Sequence, residues 1–279
     1  MLPVLLDLKF IKIYTFGVFL VLAFFWASFL LWKNVRLTSQ KEDEIFDGLF
    51  LSIAGGLFFG RLIYVIFNFD KFGFNILKFI LINGYPGLSL YGALFGGFLS
   101  LYLFFQLKKI GFKETVDYFI TPLFTALVFG KLGSFLSGVE VGVKTKFFLS
   151  IKYVGYDGLR HLTPLYESIL FALGALLSYR FIFDVRKERL SRGFVFYFFC
   201  WYFGLTYILF DKIKINHLYF LGYNFNKMVS TILVLTFSVY FLYHFRNSLL
   251  AYVKPAYKKI TKKISGNLAE RSKKAAKPN

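Results

Sequence analysis

The segment Gly130-Lys131-Leu132-Gly133-Ser134-Phe135-Leu136-Ser137-Gly138-Val139-Glu140-Val141-Gly142 places a lysine, two serines and a glutamate at the end of an apolar run. A lipid-facing ionisable side chain costs on the order of 2.5 to 3.5 kcal/mol, so Lys131 is expected to face a protein cavity or a polar ligand. Other polar residues interrupt or border apolar runs elsewhere: Arg61 with Tyr64 one turn later, Tyr91, the pair Arg160-His161, Glu167 and Asp211. A guanidinium can reach a phosphate, and an imidazole can be neutral or charged near neutral pH. Taken singly, Arg160 and His161 are each more often just interfacial side chains.

The elements that must position them are membrane helices. With 57% hydrophobic residues and 40 phenylalanines among 279 positions, the chain is too apolar for a soluble domain of its size. Its mean hydropathy of +0.59 agrees. Apolar segments long enough to cross a core of about 30 Å lie at 13–32, 46–67, 88–107, 115–136, 163–183, 193–211 and 228–245. The reading is an all-α integral membrane protein with seven transmembrane helices in residues 1–245, followed by a basic tail, 246–279. The first segment lacks a clear small-residue cleavage site and is read as a retained helix rather than a secretory signal. The single cysteine, Cys200, lies in the sixth segment and has no intrachain partner.

Charge sets the orientation. The turns at 33–45, 108–114 and 180–192 and the tail from Arg246 hold 21 Lys and Arg, against eleven in the N-terminus and the turns on the other side. The positive-inside rule then predicts an N-terminus outside and a cytoplasmic C-terminus. With that topology Arg61, Tyr64, Tyr91, Lys131, Glu140, Arg160, His161, Glu167 and Asp211 all map to the outer leaflet from separate parts of the sequence. Asp117 lies fourteen residues before Lys131, about 21 Å along the helix. It is expected at the cytoplasmic end in a structural role, capping its helix or pairing with a basic turn. At Leu162-Thr163-Pro164-Leu165-Tyr166-Glu167, Thr163 reads as an N-cap, Pro164 as the first helical residue, and Glu167 as a first-turn acid suited to the helix dipole.

The net charge of +19 is concentrated in the tail, where membrane proximity accounts for it, so no nucleic-acid partner is expected. Gly55-Gly56, Gly60, Gly92, Gly96-Gly97, Gly130 and Gly133 have spacings that let helices approach closely. Gly138 and Gly142 flank Glu140 past a helix end and are candidate site formers. His161, His217 and His244 are too dispersed for a metal site, and no cofactor is implied.

Four motifs in order carry a resemblance: Gly60-Arg61-Leu62-Ile63-Tyr64-Val65, Gly87-Leu88-Ser89-Leu90-Tyr91-Gly92-Ala93-Leu94, Gly130-Lys131-Leu132-Gly133-Ser134-Phe135, and Arg160-His161-Leu162-Thr163-Pro164-Leu165-Tyr166-Glu167. Over about residues 10–245 the chain resembles bacterial prolipoprotein diacylglyceryl transferase. The resemblance implies seven helices with the N-terminus outside in the bacterial cytoplasmic membrane. It also implies transfer of a diacylglyceryl group from phosphatidylglycerol to the lipobox cysteine thiol of a preprolipoprotein, with release of glycerol 1-phosphate. Its partners would be phosphatidylglycerol, preprolipoprotein signal peptides and membrane lipids. Such chemistry needs cations over the departing phosphate, a group to take the thiol proton, and a cavity open sideways to lipid. Lys131 and Arg61 are the expected cations. Tyr91 stands where the family has histidine or tyrosine, as proton acceptor or positioning hydroxyl.

The departures are specific. Lys131, Ser134 and Ser137 replace an arginine and two asparagines of the family pattern. The family's glutamate position falls on Val139, with Glu140 one residue later. Tyr207 and Asp211 occupy the places of an arginine and the glutamate four residues after it. Lys212 or Lys214, reaching inward, would restore that lost cation. The substitutions leave a divergent enzyme and a non-catalytic lipid-binding or scaffolding relative as alternatives; a one-sided polar set argues against a transporter.

Overall fold

The computed structural model describes residues 2–9, 12–82, 84–215, 217–220 and 222–246. Beyond Arg246, the basic tail lies outside the described residues. Among the described residues, seven helices are long and apolar enough to cross a membrane: Thr15–Val35, Glu42–Phe67, Leu90–Leu107, Asp117–Ser137, Thr163–Arg186, Phe194–Asp211 and Phe225–His244. They are called the first to seventh spans. All seven predicted segments are recovered, and the shifts at their ends are local chemistry. The second span starts at Glu42 because Glu42, Asp43 and Glu44 fill its first turn, where carboxylates complement the helix dipole. The third starts at Leu90 because the Ser89 hydroxyl accepts from the Gly92 N–H at 3.2 Å.

The chain divides into two units, Met1–Val234 and Leu235–Asn279. In the second, the Arg246 guanidinium lies 4.0 Å above the Tyr243 ring. Everything below concerns the first.

The chain is mostly helical, as the all-α reading expects, and the described connections add short strands. Three short antiparallel pairs occupy connections: Val4–Asp7 with Lys12–Tyr14, Ser150–Lys152 with Leu159–His161, and Tyr219–Phe220 with Tyr223–Asn224. Strands of two to four residues are too short to write a period-two pattern into sequence. Each pair precedes an odd-numbered span, at the end where the fourth span finishes.

Two packing arrangements support that end. The second and third spans meet through small residues: a Cβ on Gly96 would stand 2.4 Å from Phe59 Cβ and 2.6 Å from the Gly55 carbonyl. Only glycine allows this approach, as the spacing predicted. The fourth span is the hub, packed against the first, fifth and sixth and half buried along its apolar window.

Asp117 holds the other end of the hub. Its carboxylate accepts from the backbone N–H groups of Gly193, at 2.7 Å, and Phe196, at 2.9 Å. The structural role is the expected type, but the helix it caps is the sixth span rather than its own. Asp117→Ala leaves two buried N–H groups unpaired and is expected to cost about 1–2 kcal/mol, measured as a lowered denaturation midpoint in detergent.

The start of the fifth span differs from expectation. Leu162 holds the N-cap position with no side-chain hydrogen bond, and Pro164 lies in the first turn as expected. The Thr163 hydroxyl instead donates to the Ile213 carbonyl at 3.4 Å. No acid occupies the first turn; Glu167 lies further in, completely buried, so the helix dipole does not account for it.

Candidate active site

Glu167 is accounted for by two ammonium groups. Its Oε2 lies 2.8 Å from Lys131 Nζ, and its Oε1 is ion-paired with Lys214 Nζ. Lys131 also donates to both oxygens of Glu140, at 2.8 and 2.7 Å. Two cations and two carboxylates thus alternate in one chain, Glu140–Lys131–Glu167–Lys214, with Lys131 6% exposed and Glu167 at 0%. A buried lysine is tolerable only with such compensation.

Three backbone features bring these groups together. Gly138 closes the fourth span in the left-handed region, with φ of 74°, and its N–H and that of Val139 donate to the Ser134 carbonyl. The turn carries Glu140 back toward Lys131, leaving Val139 largely exposed. Gly142 then pairs with Lys214 in an antiparallel bridge, and its carbonyl accepts from the Arg160 guanidinium at 3.2 Å. A Cβ there would stand 2.5 Å from the His161 carbonyl. Both glycines thus shape the chain around Glu140 through backbone geometry.

Beside the charged chain is a cavity of about 610 Å³, bordered by Lys131, Glu140, Lys214, Tyr91, Tyr207, Tyr64, Ser89, Asn226 and His217, among others. Tyr207 forms part of its floor, with Lys214 Nζ 3.8 Å and Lys131 Nζ 5.7 Å from its ring centroid. The Tyr91 ring meets that of Tyr207 edge-on at 5.4 Å. Its hydroxyl bonds to Ser230 Oγ, which itself donates to the Asn226 carbonyl at 2.6 Å. The serine proton being used, Tyr91 is the donor of the pair, which fits a positioning hydroxyl rather than a proton acceptor.

Arg61 does not border the cavity. Its guanidinium, 2% exposed, donates to the carbonyls of Lys78 at 2.7 Å, Phe79 at 2.9 Å and Gly87 at 2.7 Å. It anchors the connection between the second and third spans, and that connection in turn sets Tyr64 against Gly87 at the cavity edge. Ser134 is buried within the fourth span, where its carbonyl closes the helix. Arg160, lying 4.8 Å over the Tyr156 ring, and His161 brace the hairpin behind the cavity. Asp211 Oδ1 accepts from Asn224 Nδ2 at 2.9 Å. Of the two lysines expected near Asp211, Lys212 is exposed and Lys214 reaches the site.

The electrostatics follow the geometry. Burial pushes the Glu140 carboxyl up, but Lys131, and behind it Lys214, outweigh this and hold it below its ordinary value. Burial lowers the Lys214 ammonium more than Glu167 raises it, with Lys131 adding to the lowering. A carboxyl lowered in the folded state stabilises above its unfolded value, about 4.3, and that contribution is lost as pH falls through the folded value. The acid-side fall of the melting temperature is therefore expected to be shallower in Glu140→Gln, measured as pH is lowered from about 4.3. The arrangement sets two ammonium groups and the Glu140 carboxylate along one wall of the cavity.

The model of the prolipoprotein diacylglyceryl transferase family matches residues 3–243. The chain belongs to that family. Among proteins named phosphatidylglycerol–prolipoprotein diacylglyceryl transferase, that of Clostridium tetani strain Massachusetts / E88 is 32% identical over 203 residues, covering 70% of this chain and 79% of the relative. That of Streptococcus pneumoniae serotype 4 is 26% identical over 240 residues, covering 83% and 90% respectively. That of Chlorobaculum tepidum is 29% identical over 213 residues, covering 69% and 71%.

The departures from the family pattern can now be placed. At the position of the missing arginine, the Tyr207 ring lies beneath Lys214, so a cation reaches the same place from seven residues further along the chain. Glu140, one residue after Val139, is the carboxylate that meets Lys131. Ser137, at an asparagine position, donates within its own helix to the Gly133 carbonyl at 2.7 Å and contributes nothing to the cavity. Sequence reading missed Ser230, Asn224 and Asn226 and set His217 aside; the only available signal was that all four flank one short hairpin at the site's end of the bundle.

Proposed function

We propose that the protein transfers a diacylglyceryl group from phosphatidylglycerol to the lipobox cysteine of a preprolipoprotein, as the names of its relatives describe. The observation that carries the reading is the restored pair of cations: Lys131 and Lys214 both border the cavity although each stands in place of, or away from, a family arginine. Compensation of this kind supports a divergent enzyme over a relative that has lost catalysis.

In the reaction the cysteine sulfur forms a bond to the glyceryl carbon while that carbon's bond to the phosphate oxygen breaks. The electron pair leaves on the phosphate, giving glycerol 1-phosphate. Lys131 and Lys214 stabilise the charge developing there. Binding of the phosphate draws Lys131 from Glu140, the more exposed of its two carboxylates, and Glu140 then takes the thiol proton. Glu167 keeps both ammonium groups in place. Tyr91, Tyr207 and Tyr64 shape the cavity. Arg61, Ser134, Gly138, Gly142, Arg160 and His161 position the walls, and Asp211 acts through Asn224.

The proposed setting is the bacterial cytoplasmic membrane, with the N-terminus outside, the tail from 246 in the cytoplasm and the cavity in the outer leaflet, where signal peptides and phosphatidylglycerol arrive laterally. The test is a bacterial strain depleted of its own transferase and supplied with this chain. A lipobox reporter is expected to gain the mass of a diacylglyceryl group. An unmodified reporter beside folded protein would contradict the proposal and favour the non-catalytic relative.

A further inference from the structure

We infer that His217 is a specificity-determining residue for the donor lipid, its Nε2–H donating to a hydroxyl oxygen of a polyol headgroup. The inference takes from the proposed function only that the cavity receives a phospholipid.

The argument begins at Asn224. Its Oδ1 accepts from the Lys227 backbone N–H at 3.1 Å, which fixes the orientation of the amide. Nδ2 is thereby turned toward two acceptors, Asp211 Oδ1 at 2.9 Å and His217 Nδ1 at 2.8 Å. A ring nitrogen facing an amide N–H at that distance presents its lone pair, so Nδ1 is unprotonated and the ring proton sits on Nε2. Its donor toward the cavity is then the nitrogen that Asn224 does not occupy. His217 borders the cavity beside Lys214 and Asn226, and among the described residues nothing accepts from Nε2.

The same amide covers Asp211. Its Oδ1 is taken by Asn224 and lies 3.5 Å from His217 Nδ1. On the His217 side the cavity wall thus offers a ring N–H in place of the Asp211 carboxylate, while Glu140 borders the cavity on the Lys131 side, already paired. An ammonium headgroup lying against His217 would face Lys214 and Lys71, which also borders the cavity. A hydroxyl oxygen finds a donor held in place by Asn224, and the phosphate beside it finds the ammonium groups.

The test uses the purified full-length chain in detergent and three short-chain lipids with identical acyl groups. These are dihexanoyl phosphatidylglycerol, dihexanoyl phosphatidylpropanol, which has the same charge but no hydroxyl, and dihexanoyl phosphatidylethanolamine. Wild type is expected to bind the glycerol lipid about tenfold tighter than the propanol lipid, one hydrogen bond's worth. His217→Ala should bring the ratio to about one by weakening only the glycerol lipid, and His217→Gln, which keeps a donor, should retain part of it. Asn224→Leu, which uncovers Asp211, should strengthen binding of the ethanolamine lipid. A wild-type ratio near one, or a ratio unchanged in both His217 variants, overturns the inference. Selective binding without any transfer to a lipobox peptide would overturn the proposed function and leave this inference standing.

Discussion

Glu167→Ala is expected to destabilise the protein by about 3–5 kcal/mol, among the larger effects available to one substitution. The carboxylate is fully buried and, among the described residues, is the only one ion-paired with both Lys131 and Lys214. Its removal leaves Lys214 without an ion-pair partner and Lys131 with Glu140 alone. The energy lost is mainly that of a buried, uncompensated ammonium rather than of the ion pair itself. Glu167→Ala with Lys214→Met should therefore recover part of the loss, because it removes the stranded charge as well. Both are read from chemical denaturation in detergent. A single variant within about 1 kcal/mol of wild type would show that the cluster is not held as described.

The second large effect falls on turnover. Lys131→Ala is expected to lower transfer by about 10² to 10³-fold, the range for losing one group aimed at developing charge. Lys131 is well suited to that aim: Glu167, 2.8 Å away, holds its ammonium at the cavity while the more exposed Glu140 can give it up to a phosphate. Lys131→Arg restores the residue type of the family and keeps the charge, and should retain activity within about tenfold of wild type, limited by crowding at a nearly buried position. Equal losses in the two variants, with unchanged melting temperatures, would assign Lys131 to packing rather than charge.

The spans were legible because twenty-residue apolar runs leave little choice in a bilayer, and the corrections lie at their edges. The second span gained its acidic first turn, and the fifth lost the Thr163 cap to a carbonyl from the connection after the sixth span. The site was legible as residue types and not as partners. Lys131 announced itself by depth, but its carboxylate could be assigned to Glu140 over Val139 only once Gly138 was seen to turn the chain. Glu167 looked like a helix-dipole residue because its partners come from other spans and connections. Arg61 looked like a phosphate ligand because the three carbonyls that hold it lie 17 to 26 residues further on. Lys214 was suggested by the missing arginine, whereas the His217–Asn224–Asp211 cluster depends on a two-residue strand pair that no sequence pattern marks.

The most direct test is transfer of labelled diacylglycerol from phosphatidylglycerol to a lipobox peptide by the purified chain, with Lys131→Ala and Lys214→Met beside wild type. Label on the cysteine thioether, lost in both variants while they remain folded, is the predicted result. Label that persists without either lysine, or none at all from folded wild type with any anionic phospholipid, would contradict the assignment of this charged chain as the catalytic anion site.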